Sequence, residues 1–372
     1  INMHGDLALL ASNQYSKAKR LNPAVCGSGL FMEAIEQNPV YYELAFEMPC
    51  HPDSIDLRAW LKQYATRRYG AFSPATQKAW MLLLEGPYRQ GTNGTEKSSI
   101  VAARPALDVK KSGPNAGLEI PYDPALIIRA QSLLLEDADK LSASRPYRYD
   151  LVDVQRQMMT NLGQLIHRKA AEAFRSKDRE AFTLHSERFL GMLADMDTLL
   201  RTRSEYSFDR WLTEARSWGE TEEEKNQMER DATSLVTIWG ADGDPRIFDY
   251  SWREWAGLIN GYYLPRWQKF YTMLQQHLDE GTSYEEAGLP QIYGREAFRA
   301  NDFYHALAEW ELSYVDTYGK ARIPATEGDE VDIVKRLFKK YFKLSQEYYT
   351  DSIKLIKPSR DERTYENLGE DL

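Results

Sequence analysis

The stretch "YDLVDVQRQMMTNLGQLIHRKAAEAF", residues 149–174, constrains the fold more than any other part of the chain. Leu151, Val154, Met158, Leu162, Leu165 and Ala173 fall at steps that put them on one helical face. A helix of that length has a long apolar stripe, and other helices must cover it. Three more long helical patterns lie at 178–203, 208–237 and 295–318, and a last one at 329–356. Shorter ones carry their own punctuation. "DLRAWLKQYATRRYG" has Asp56 as cap, Arg67 and Arg68 in the last turn and Gly70 as the stop. Further helices start at Ser73 and at Asp123-Pro124, whereas 89–120, rich in Gly, Pro, Ser and Lys, reads as a long surface loop. After residue 50 there is no alternating strand run and no repeat of fixed period. Residues 53–372 are therefore expected to form an all-α domain.

The first fifty residues have another character. A short helix is expected between Leu7 and Lys19, a turn at Leu21-Asn22-Pro23, then an apolar run of strand type that breaks at Gly27-Ser28-Gly29. Glu33 follows among Leu30, Phe31, Met32, Ala34 and Ile35, where a carboxylate is costly to ionise unless something nearby uses or compensates it. Asn38-Pro39 then supplies a good N-cap and a good first helical residue for "VYYELAFEM". Helix, turn, strand and an acid just past the strand end make a piece of α/β architecture. The sequence enters directly into an apolar stretch and reads like the interior of a longer protein. A chain of 372 residues also exceeds the size at which one core usually stops growing, so two units are expected, 1–52 and 53–372.

Composition excludes several classes. A net charge of -9 disfavours nucleic acid as a partner, because that affinity rests on Lys and Arg neutralising phosphates. No apolar run approaches the length of a membrane span. Cys26 and Cys50 permit at most one disulfide and have no metal-type spacing, and nothing calls for a cofactor. Gly27-Ser28-Gly29 lacks the third glycine of a dinucleotide fingerprint and is better read as a tight bend. Glu33 stands where α/β barrels carry working side chains, at the carboxyl end of a strand, but a structural acid at a helix start fits that position as well. The second constellation is "VTIWGADGDPRIFDYSWREWAGLINGYYLPRW", residues 236–267, in which a turn segment would carry Trp239, Ile247 and Tyr250 at the edge of a helical layer. Exposed aromatics beside Asp and Arg suit sugars, which offer an apolar C–H face and a hydroxyl rim. Each aromatic taken alone is more readily core than ligand contact, and Pro265 kinks or restarts a helix.

"GSGLFMEAIEQNPVYYEL", "AARPAL", "YRYDLVDVQRQ", "IWGADGDPRIFDYSWREWAGLINGYYLPRW" and "DEVDIVKRLFKKYF" resemble, in order, segments of the α-N-acetylglucosaminidases, glycoside hydrolase family 89, over residues 1 to about 345. The resemblance implies a mainly α chain: the C-terminal end of a (β/α)8 barrel over 1–52, then a large all-α helical domain that closes one side of the active-site cleft. It implies a retaining exo-glycosidase acting on glycans with terminal α-linked N-acetylglucosamine, heparan-type or mucin-type. Glu33 would be the nucleophile, and the acid/base would come from an earlier barrel strand that this sequence does not include. His4 matches a position near the sugar, although a histidine satisfied by local hydrogen bonds fits equally; Trp239, Ile247 and Tyr250 match the cleft edge. An extracytoplasmic location (periplasmic, secreted or lysosomal) follows from the resemblance alone, and homo-oligomerisation stays open. Met32 stands where family members often have Pro, and 89–120 and the tail after 345 depart from the pattern. The rival reading is a non-catalytic helical module whose aromatics hold glycans or another protein.

Overall fold

The long periodic stretch is one helix, Arg145–Arg175, of 31 residues, about 46 Å long at 1.5 Å per residue. The computed structural model describes residues 2–12, 14–31, 38–89, 97–113, 117–240, 247–284, 286, 302–317, 319–320 and 328–349. In chain order its α-helices are α1 Leu7–Leu10, α2 Gln14–Leu21, α3 Pro39–Glu47, α4 Leu57–Tyr69, α5 Pro74–Glu85, α6 Ala125–Glu136, α7 Ala138–Leu141, α8 Arg145–Arg175, α9 Arg179–Leu200, α10 Phe208–Arg216, α11 Glu222–Val236, α12 Leu264–Glu280, α13 Asp302–Val315 and α14 Glu330–Tyr348. The protein is mainly helical, and the described residues contain isolated bridges but no strand.

α8 is the hub. It packs against α9, which returns after a three-residue connection, and against α14, α6 and α4. Polar residues on α8 are buried as well as its apolar stripe, because each has a partner. Asp150 accepts from Arg68 Nε at 2.7 Å and from the Tyr69 hydroxyl at 2.8 Å, and Arg156 donates to Asp153 at 2.8 Å. The caps read from sequence at Asp56, Gly70 and Ser73 all form: Asp56 and Ser73 accept from the amides of Ala59 and Thr76, and Gly70 is left-handed at φ 74.

Several expectations need correction, and the one short helix expected between Leu7 and Lys19 is two, α1 and α2. The pattern over 208–237 is two helices, α10 and α11, broken at 217–221; Thr221 and Glu224 form a reciprocal capping box that starts α11 afresh. The run expected as a strand, Ala24–Cys26, has no regular structure and is mostly exposed, as are Cys26 and Cys50, which are free thiols. A strand is stable only where a ladder neighbour takes its backbone groups, and none lies among the described residues.

The largest correction falls within 89–120, expected as a surface loop, of which 90–96 and 114–116 lie outside the described residues. Residues 98–107, "SSIVAARPAL", are buried throughout and thread the helical body as an irregular strap. Buried non-helical backbone needs side-chain partners, and they come from every side. Trp267 Nε1 donates to the Val101 carbonyl at 3.3 Å, Arg266 to that of Ala102 at 2.7 Å, and the Tyr304 hydroxyl to that of Pro105 at 2.9 Å. Glu286 accepts the Leu107 amide at 2.6 Å. The imidazole of His167, on α8 against the strap, is buried and pushed down to about 4, so it stays neutral over most of the pH range.

Candidate functional site

Glu33 lies outside the described residues. The segments on either side of it are described, and the one after it is strongly tied. Asn38 is left-handed, φ 60 and ψ 45, although it is not glycine and precedes Pro39, the first residue of α3. Its side chain does not cap α3, as the sequence suggests it should. Instead Oδ1 accepts two hydrogen bonds, from the His4 amide at 2.9 Å and from the Tyr88 hydroxyl at 3.0 Å. His4 itself is half-buried, and the next residue, Gly5, has φ 139, where a Cβ would come within 2.6 Å of the Tyr41 ring. Only glycine allows Tyr41 to close over the backbone there.

At the other candidate position the structure brings Trp239 and Tyr250 together. Their rings are 4.7 Å apart and tilted by 42°, within the range of favourable aromatic pairs. Both are half-buried, whereas Ile247, one turn before Tyr250, is 37% exposed. The Tyr250 amide donates to the Ile247 carbonyl at 3.1 Å, and the Asp249 amide to the Thr237 carbonyl at 2.6 Å, which joins the two chain segments. Trp239 and Asp249 both have left-handed backbones, φ 55 and φ 59. For a residue as bulky as tryptophan that conformation is unusual and must be imposed from outside.

The Asp249 side chain has its partners inside the helical body. Asp249 is buried and accepts from Arg266 of α12 at 2.8 Å; Arg266 also donates to Glu311 of α13 at 3.0 Å. Arg104, from the strap, donates to both oxygens of Glu311, at 3.0 and 2.8 Å. Two guanidinium groups and two carboxylates thus form a closed cluster without exposed side-chain surface, contributed by four separate segments. Burial pushes the Asp249 carboxyl up to about 6 despite the pull of Arg266, with the Glu311 charge adding to the rise. The Arg266 guanidinium also lies 4.4 Å from the centre of the Tyr262 ring, a cation–π contact that shields it further.

The strap connects the two candidate regions. At one end Asn2 Nδ2 donates to the carbonyls of Lys97 and Ser98 at 2.8 and 3.1 Å. Ser98 Oγ donates to the Ser112 carbonyl at 3.1 Å. Gly113, at φ 71, then lies so close to the aromatic edge that a Cβ would sit 2.6 Å from the Asp249 carbonyl oxygen. Asn2, two residues before His4, and Asp249, one before Tyr250, thus both meet the chain between 97 and 113. Chemically the Trp239–Tyr250 pair offers an apolar platform with a hydroxyl and an indole N–H, suited to the C–H face and hydroxyl rim of a sugar. Among the described residues no three His, Cys, Asp or Glu side chains are grouped to hold a metal ion.

Sequence reasoning missed Asn38 as an anchor and missed the charge cluster. A signal for the second was present: Arg104 is the lone charge in "SIVAARPAL", and a charge in an apolar run that folds inside must find an opposite charge.

The comparisons with known proteins agree with one another. A family model described as the α-N-acetylglucosaminidase (NAGLU) C-terminal domain matches residues 60–340. Human α-N-acetylglucosaminidase is 32% identical over 344 residues, 90% of this chain and 43% of the relative. A family 89 glycoside hydrolase from Clostridium perfringens, solved in complex with PUGNAc, has 27% identity and a TM-score of 0.79 over 94% of this chain and 38% of its own. A form of the Clostridium perfringens enzyme with two glutamates changed to glutamine, in complex with its substrate GlcNAc-α-1,4-galactose, has 27% identity and a TM-score of 0.80 over 91% of this chain and 37% of its own. The chain therefore spans less than half the length of these relatives.

Proposed function

Because the chain belongs to the α-N-acetylglucosaminidases of glycoside hydrolase family 89, matching their C-terminal domain over residues 60–340, we propose that it works as the C-terminal portion of a retaining exo-glycosidase. The enzyme releases terminal, non-reducing α-linked N-acetylglucosamine from glycans of heparan or mucin type. Residues 1–52 are then the last part of a (β/α)8 barrel, and 53–372 the helical domain that closes one side of its cleft. Glu33 attacks the anomeric carbon, and a glutamate on an earlier barrel strand, outside this sequence, protonates the leaving oxygen. Such a pair works with its carboxyl groups only about 5 to 5.5 Å apart, the first kept ionised and the second kept protonated. His4, Trp239, Ile247 and Tyr250 line the subsite for the terminal sugar. An extracytoplasmic location belongs to the same proposal and rests on the family.

The observation that carries this reading is the Trp239–Tyr250 pair, two half-buried rings in contact, the first on left-handed backbone, within one of the two segments most specific to the family. The two Glu→Gln changes in the Clostridium perfringens complex with its disaccharide support a mechanism with two carboxyl groups. The test is Glu33→Gln in the full-length enzyme, assayed with an aryl α-N-acetylglucosaminide. The amide keeps the shape but cannot form a glycosyl ester, so turnover should fall by several powers of ten while the Michaelis constant changes little. Turnover within about tenfold of the parent overturns the assignment and favours a non-catalytic glycan- or protein-binding module.

A further inference from the structure

Four described residues other than glycine have left-handed backbones, and two of them, Trp239 and Asp249, are in or directly beside the aromatic pair. Strain of this kind persists only where the surroundings over-determine it. Around Asp249 they do. Its amide donates to Thr237, its carboxylate is bound by Arg266, and its carbonyl faces Gly113, the residue that leaves it just enough room. A buried cluster of four charges is a costly way to hold a fold together, since apolar residues of similar volume often do as well. It has one property they lack, directionality. The Asp249–Arg266 bond fixes the chain one residue before Tyr250, in a conformation that apolar packing alone does not select.

We infer that Asp249 is a positioning residue for substrate recognition: through Arg266 and Glu311 it locks the backbone turn that sets the Tyr250 ring against Trp239, and so determines how tightly the terminal sugar is held. This rests on the reading of Tyr250 as a sugar contact. Asp249 touches no substrate itself. Its effect reaches the sugar through Tyr250, so the two residues must be coupled, whereas a residue that only stabilises the domain would act independently of Tyr250.

The experiment is a double-mutant cycle in the full-length enzyme with an aryl α-N-acetylglucosaminide, using Asp249→Asn, Tyr250→Ala and the double variant. Asparagine tolerates the left-handed backbone, but its neutral oxygen loses the charge assistance that makes the bond to Arg266 strong enough to hold the turn. Asp249→Asn should raise the Michaelis constant about three- to tenfold with kcat within twofold, and Tyr250→Ala about five- to tenfold or more. The double variant should be no worse than Tyr250→Ala by more than twofold. Multiplying effects, or an unchanged Michaelis constant in Asp249→Asn beside a raised one in Tyr250→Ala, overturns the inference and leaves the sugar contact standing. An unchanged Michaelis constant in Tyr250→Ala overturns the sugar contact and the inference with it. If Asp249→Asn does not fold, Gly113→Ala presses on the same turn from behind with the charge cluster intact. It should raise the Michaelis constant in the same way, and no change there overturns the inference.

Discussion

The aromatic edge at Trp239 and Tyr250 and the N-terminal segment around His4 are held to the same helical body in different ways. The edge rests on a sealed cluster of Arg104, Glu311, Arg266 and Asp249, with every side chain at 0% exposure. The N-terminal segment is held by the buried side chains of Met3 and Leu7 and by hydrogen bonds spaced along it: Asn2 to the strap, the Met3 amide to Gln157 at 2.8 Å, the His4 amide to Asn38, and the Leu7 amide to the Tyr88 carbonyl at 3.1 Å. The difference shows where rigidity is built in. Interlocked buried charges fail together when one is removed, whereas spaced hydrogen bonds are lost one at a time, each worth about 1 kcal/mol net.

The strongest attempt to break the comparison is Arg266→Met. It leaves Asp249 without its guanidinium and Glu311 with only Arg104, so the folded state should lose about 3–5 kcal/mol, read as a large drop in thermal midpoint. A loss below 1 kcal/mol would mean that the cluster does not set the stability of this region.

Next in size is a pH effect confined to the edge. Asp249 is faced by Arg266, Arg104 and Glu311, and its carboxyl titrates near 6 in the folded protein against an ordinary value of 3.8. The folded state therefore keeps this proton more tightly than the unfolded chain does, so the stability Asp249 contributes is greatest below about pH 4 and is lost as pH rises towards 6. Compared with Asp249→Asn, the parent should lose up to about 3 kcal/mol between pH 4 and 6.5 and change no further above that. Chemical denaturation of both proteins across that range measures it, and a constant difference would refute it.

The smallest effect belongs to the N-terminal segment. Asn38→Ala removes two hydrogen bonds and the tolerance of asparagine for the left-handed region, a cost of about 1–2 kcal/mol. Asn38→Gly restores the backbone but not the bonds, so it should recover part of the loss in thermal unfolding. If Asn38→Ala costs as much as Arg266→Met, the two regions are equally interlocked and the contrast fails.

Much of the helical body was legible from residues alone. Periodicity marked α8 and α9, and Asp56, Gly70, Ser73 and Pro265 marked the ends of α4, α5 and α12, because caps and prolines act on their immediate neighbours. The same rules explain one error: the capping box at Thr221 and Glu224 was in the sequence, but continued helical periodicity across 217–221 hid it. The family resemblance marked Trp239, Ile247 and Tyr250 as a group, and the turn segment expected between them from Gly, Asp and Pro lies, over 241–246, outside the described residues.

What the sequence determined by itself is local: which stretches are helical, where they stop, and which residues are chemically equipped for a sugar. The tertiary structure decided the rest. It turned "SSIVAARPAL" from an expected surface loop into a buried strap, because segments distant in sequence supplied Arg266, Trp267, Tyr304 and Glu286 to its backbone. It drew Asn38 away from capping its own helix to bind His4 and Tyr88. Both outcomes depend on partners 34 to 199 residues away, and no local pattern records which distant donor will satisfy a buried group, since that is fixed only when the helices pack.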